Sequence, residues 1–237
     1  FSGSMGGFLA LFLMHGAQIV VIIRLSTQTD RTETKQNRLG PWKDLILAFR
    51  YSRRNHRIIG VLFVTFLMNA FAFSYQVLLP VFVRDVLSLG PLELGILGAG
   101  VGMGSIFGIV LIDQLGEYYQ ENTIFTVSSL LNAVATLIFA LSVSYPLSLA
   151  MLILIGVGQT GFSIMQSSII LRYSSNAMRA RVMGLLVLAI GGGPPGRLLA
   201  GTLAGIAGAP LALSICAGIA SLGVMGVLFR SGGMQRK

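Results

Sequence analysis

The residues best equipped for chemistry in this chain are polar side chains set inside long apolar runs. Between 147 and 171 stand Gln159, Thr160, Ser163, Gln166 and Ser167. Gln159, Ser163, Gln166 and Ser167 follow one another at spacings of 4, 3 and 1, which puts them on one face of a helix. Between 58 and 82 stand Asn69, Ser74, Tyr75 and Gln76. In hydrocarbon, such faces either hydrogen-bond a neighbouring helix or line a watery path. A third group is Gly191, Gly192, Gly193, Pro194, Pro195 and Gly196, with Arg197 directly after it. The prolines remove backbone donors and the glycines permit unwinding, so a kinked or broken helix is predicted here. The Arg197 charge faces a cavity or partner, or else snorkels to the headgroups. His15 and Gln18 read as packing residues. Catalysis has no carrier: there are no paired carboxylates, no Ser/His/Asp arrangement and no Walker-type loop, and no enzyme is expected. Cys216 is the single cysteine, and no His/Cys cluster exists, so neither a metal nor another cofactor is expected.

The elements that must position these residues follow from composition. Of 237 residues, 54% are hydrophobic and only 11% charged, against roughly 25% charged in a soluble domain. Mean hydropathy is +0.81. Seven runs reach or approach the roughly 20 apolar residues that span a bilayer: 6–23, 58–82, 92–112, 123–143, 147–171, 182–205 and 211–229. The expected class is therefore an all-α membrane protein with seven transmembrane helices. The net charge of +9 could suggest nucleic acid, but seven apolar segments leave no soluble domain to bind it.

Basic residues set the orientation. Nine of the seventeen lie in 24–57: Arg24, Arg31, Lys35, Arg38, Lys43, Arg50, Arg53, Arg54 and Arg57. With that loop inside, Arg172, Arg179, Arg181, Arg230, Arg236 and Lys237 also fall inside, leaving Arg84 outside and Arg197 within a span. The loop 113–122 also falls inside but carries only acids, Asp113, Glu117 and Glu121. No Asp or Glu lies at mid-depth of a run; Asp85, Glu93 and Asp113 sit near run ends. Inside the basic stretch, Pro41 suits a first helical position, and Trp42, Leu45, Ile46 and Phe49 recur at i, i+3, i+4 and i+7. That pattern predicts an amphipathic helix at headgroup level. A shift of 89 residues carries span starts 58, 92 and 123 onto 147, 181 and 212, and Gly95, Gly102 and Gly104 onto Gly184, Gly191 and Gly193. The last six spans are thus expected to form a 3+3 inverted repeat. Gly100, Gly104 and Gly108 make a small-residue row for close helix packing.

Four stretches carry a resemblance: Arg50-Tyr-Ser-Arg-Arg-Asn55, Leu79-Pro-Val-Phe-Val-Arg-Asp85-Val-Leu-Ser-Leu-Gly-Pro91, Met178-Arg-Ala-Arg-Val-Met-Gly184, and Gly191-Gly-Gly-Pro-Pro-Gly196. Together they resemble major facilitator transporters, in the branch of the enterobactin exporter and macrolide-efflux proteins, over nearly all of 40–230. The resemblance implies that 1–23 holds the last helix of an amino-terminal bundle whose other five helices are missing. It makes 24–57 a cytoplasmic linker, 58–230 a carboxy-terminal six-helix bundle and 231–237 a cytoplasmic tail. It further implies a secondary efflux transporter for a siderophore, macrolide or other drug, working by alternating access in a bacterial cytoplasmic (inner) membrane and coupled to protons. The expected partners are the small-molecule substrate, membrane lipid and the missing amino-terminal half. On this reading Asn69, Tyr75, Gln76, Gln159, Ser163, Gln166 and Arg197 line the substrate path, and Gly191 to Gly196 form a gating break. Arg179, Arg181 and Asp113 serve as cytoplasmic gate or lipid anchor. The chain departs from the superfamily pattern at Asp113-Gln-Leu-Gly-Glu117, where Asp-Arg-x-Gly-Arg would be usual, and at Arg197. A membrane scaffold, an inactive half-transporter and a seven-helix receptor are the alternatives. A retinal protein has no candidate, since Lys35, Lys43 and Lys237 all lie outside the spans.

Overall fold

Apolar length dictates the architecture, because a backbone in hydrocarbon must satisfy its own hydrogen bonds. The structure, a computed structural model, describes residues 12–21, 24 and 40–232. Residues 1–39 and 40–237 form two units. In the first, α1 (Phe12–Val21) is a short apolar helix within the expected span 6–23, whose other residues lie outside the described ones. Most of the basic linker, Arg31, Lys35 and Arg38 included, lies outside the described residues, as do Arg236 and Lys237.

The second unit holds α2 (Pro41–Arg54), α3 (His56–Ala70), a single 3₁₀ turn (Ala72–Ser74), α4 (Tyr75–Asp85), α5 (Pro91–Tyr118), α6 (Glu121–Ala140), α7 (Tyr145–Tyr173), α8 (Asn176–Ile190), α9 (Gly193–Ala207) and α10 (Ala209–Gly232). Among the described residues, six helical stretches are long and apolar enough to cross a membrane; α3 with α4, and α8 with α9, each count as one. They match the last six expected spans, with two corrections at the ends. Asp113 and Glu117 lie on α5, and Arg179 and Arg181 lie on α8, where loops 113–122 and 172–181 were expected. Helical hydrogen bonding continues past the apolar run, so charged residues sit on protruding turns rather than in loops.

α2 starts at Pro41 as expected and ends at Asn55, whose Oδ1 accepts the Arg57 N–H at 3.1 Å and starts α3. Trp42, Ile46 and Phe49 are exposed, Trp42 by 78%, while Ala48 and Ser52 on another face are buried. This inner face packs on α8 and α3. Arg181 Nε donates to Asp44 Oδ1 at 2.8 Å, and the Ser175 N–H donates to the Tyr51 hydroxyl at 3.0 Å. Charge-assisted bonds of this kind contribute about 1.5–3 kcal/mol. Asp44→Ala should therefore free α2 and speed tryptic cleavage after Arg50, Arg53 and Arg54 by roughly tenfold to a hundredfold, read by limited proteolysis. An unchanged cleavage rate would mean that packing alone holds α2.

α5, α6 and α7 meet almost backbone to backbone. A Cβ on Gly104 would collide with the Ile153 carbonyl, and one on Gly156 with the Val101 carbonyl. A Cβ on Gly158 would lie 2.7 Å from the Ser128 carbonyl of α6. Polar bonds cross the same seams: Thr160 Oγ1 donates to the Ser105 carbonyl at 3.2 Å, and Asn132 Nδ2 to the Ile155 carbonyl at 3.0 Å. At one end, Glu121 Oε1 accepts from Arg172 Nη1 and Ser168 Oγ, each at 3.1 Å.

Candidate functional site

Two spans are jointed, and the joints touch. The break in the sixth expected span falls at Gly191 and Gly192, between α8 and α9, with Gly193, Pro194 and Pro195 opening α9. The other joint, at Phe71–Ser74, has no glycine or proline to announce it. Its local cause is side chains turned back on the helix: Asn69 Nδ2 donates to the Thr65 carbonyl at 2.9 Å, and Ser74 Oγ to the Ala70 carbonyl at 3.2 Å. Such back-bonding competes with the helical ladder and bends it. Further along, Pro80 lies inside α4 and cannot donate to the carbonyl of Gln76. Gly196 lets α9 rest directly on the end of α3, because a Cβ there would collide with the Ala70 carbonyl. Gly192 also sits close to the Phe66 ring, which a Cβ there would approach to 2.7 Å.

Beside these joints the polar residues pair across helices. Thr65 Oγ1 donates to Gln166 Oε1 at 3.0 Å, linking α3 to α7. The Tyr75 hydroxyl donates to Gln159 Oε1 at 3.1 Å, linking α4 to α7. Arg197 Nη2 donates to Gln76 Oε1 at 3.2 Å, linking α9 to α4. Seven residues separate Gln159 from Gln166, so the two rungs on α7 lie about 10 Å apart. Gln159 is equally far from both ends of α7, near mid-depth. Tyr75 and Gln166 are buried, Gln159 and Arg197 half-buried, and Gln76 and Ser163 exposed. The ladder therefore has a covered edge and an open one. Arg197 Nε is buried without a hydrogen-bond partner among the described residues, a costly state for a charged donor. Phe162 backs the ladder, with its ring 5.6 Å from both Phe73 and Phe125.

Other expected residues are not gathered here. Asn69 is spent on its own helix, Arg179 is exposed on α8, and Asp113 is exposed on α5. The carboxylate that Arg181 meets is Asp44, on α2. Sequence reasoning missed Thr65; its only signal was its place one turn before Asn69 in an apolar run. Tyr75→Phe removes one rung and should lower stability by about 0.6 kcal/mol, the mean for such bonds in membrane proteins, read from unfolding in denaturing detergent. A loss above about 2 kcal/mol would mark Tyr75 as a packing keystone instead.

The model of one protein family, described as transmembrane secretion effector, matches residues 1–233. The chain belongs to that family. No curated protein matches the chain. Transmembrane secretion effectors of this kind are major facilitator transporters, so the six described spans belong to a multi-pass membrane transporter. The polar pairs Thr65–Gln166, Tyr75–Gln159 and Gln76–Arg197 lie within these spans, beside their two joints.

Proposed function

We propose that this transmembrane secretion effector is an efflux transporter for a small organic molecule, with its path along the open edge of the Thr65–Gln166, Tyr75–Gln159 and Gln76–Arg197 ladder. The observation that carries the reading is the meeting of two jointed helices at a set of polar pairs near mid-depth. Broken helices at that level supply polar groups for a solute without exposing loose backbone to lipid. Gln76, Ser163 and Arg197 face the open edge, while Tyr75, Gln159 and Gln166 form its wall. Asn69 shapes the joint, and Gly191 to Gly196 supply the other joint. Siderophores, macrolides and other drugs are the proposed substrates.

The six spans act as one bundle of two inverted three-helix units. A second bundle, the amino-terminal half, rocks against it and covers α5 and the α8–α9 span, the least buried of the six. The basic end, with α2, faces the cytoplasm of a bacterium. Proton coupling rests on a titratable group in that other bundle, since the acids of the described spans stand near helix ends. Export of labelled siderophore, macrolide and dye from cells carrying the intact gene tests the reading. Export of at least one above a vector control is expected. Failure across all three classes favours the scaffold or inactive half-transporter.

A further inference from the structure

A second feature lies away from the ladder, at the basic end of the bundle. A cavity of about 920 Å³ runs between α3, α8 and α10. Its mouth holds Arg53 and His56, with the Arg53 guanidinium 6.0 Å from the Phe49 ring centroid. Its walls are apolar: Ile59, Phe63 and Phe66 on α3, and Leu185 and Leu188 on α8. Gly226 of α10 also lines it, and a Cβ there would meet nothing within 4 Å. Among the described residues, no carboxylate lines the cavity.

The groove has the depth of one leaflet. From His56 to Phe66 is ten residues, or about 15 Å of helix, against a hydrocarbon core of roughly 30 Å. It closes at Phe66, whose ring packs on Gly192. Beyond the mouth nothing in the lining offers a hydrogen bond to a polar solute, whereas an acyl chain asks for none. Arg54 and Arg57 line a neighbouring cavity that shares His56 and Gly60 with this one, so further positive charge stands close to the mouth. We propose that this groove holds one acyl chain of an anionic phospholipid, whose phosphate is bound by Arg53 and His56. Basic pockets between membrane helices favour anionic headgroups for the same electrostatic reason. The occupant would press on Phe66 and so touch the joint between α8 and α9.

Native mass spectrometry of the purified full-length protein, equilibrated with phosphatidylglycerol and phosphatidylcholine of identical chains, tests this. The wild type should retain one phosphatidylglycerol in preference to phosphatidylcholine by about fivefold or more. Arg53→Gln should bring that ratio towards one. Gly226→Leu should fill the groove and remove the bound lipid of either kind, while Gly226→Ala keeps it. Leu188→Trp serves as a second filling variant should Gly226→Leu misfold. Equal retention of both lipids, phosphatidylglycerol persisting in the filled variants, or no adduct in the wild type would overturn the proposal. The last result is what a groove occupied by a segment of the protein itself would give.

Discussion

Gly104→Leu is expected to leave no folded protein in the membrane. The built Cβ overlaps the Ile153 carbonyl, which is backbone inside a continuous helix and has no rotamer to retreat into. The α5–α7 seam would have to part along its whole length, also losing the Thr160–Ser105 and Ser105–Gly156 bonds that depend on close approach. A loss above about 4 kcal/mol is expected, at the extreme of single substitutions. Gly102, two residues away on the same helix, gives the contrast: a Cβ there meets nothing within 4 Å. Gly102→Ala should be neutral or stabilising by up to about 1 kcal/mol, as glycine is a poor helix former. Yield of monodisperse protein and its melting point read both. Folded Gly104→Leu protein at wild-type yield would mean that the helices do not approach as described.

The second large effect falls on transport. Arg197→Leu should cut export by tenfold or more at equal membrane abundance. Its Nη2 holds Gln76, its Nε is buried without a partner among the described residues, and no other cation lies at that depth of a described span. Removing the charge costs the bundle little, because leucine is at home in hydrocarbon, so stability and transport should separate. Gln166→Leu should also lower export, through the loss of Thr65 as its partner. Arg84→Leu is the control: Arg84 is exposed at a helix end and pairs with neighbouring Asp85, at 2.6 Å. Wild-type export from both Arg197→Leu and Gln166→Leu would move the path elsewhere in the bundle.

Much of the fold was legible because the bilayer simplifies the problem. Apolar length alone located the six described spans, and the Gly100/Gly104/Gly108 row pointed to a close seam that the structure places against α7. The break at Gly191 was legible because glycine and proline carry their backbone consequences in their covalent structure. The break at Phe71 was not, since Asn69 and Ser74 bend the helix only through bonds whose geometry no spacing rule encodes. The ladder was half legible: spacing put Gln159 and Gln166 on one face, but Tyr75 and Thr65 as their partners follow from how α3, α4 and α7 cross. The Asp44–Arg181 pair joins residues 137 apart in sequence, and only tertiary packing brings them together.

The contact between Gly196 and Ala70 has a mechanical meaning. Two jointed helices touch there with no side chain between them, so neither can swing at its joint without pushing on the other. Meanwhile α5 and α6 are each packed closely on α7 at glycines of α5 and α7. Beyond the two joints the same spans carry Gln76 and Arg197, so a swing at either joint would pull on the bond that ties one span to the other.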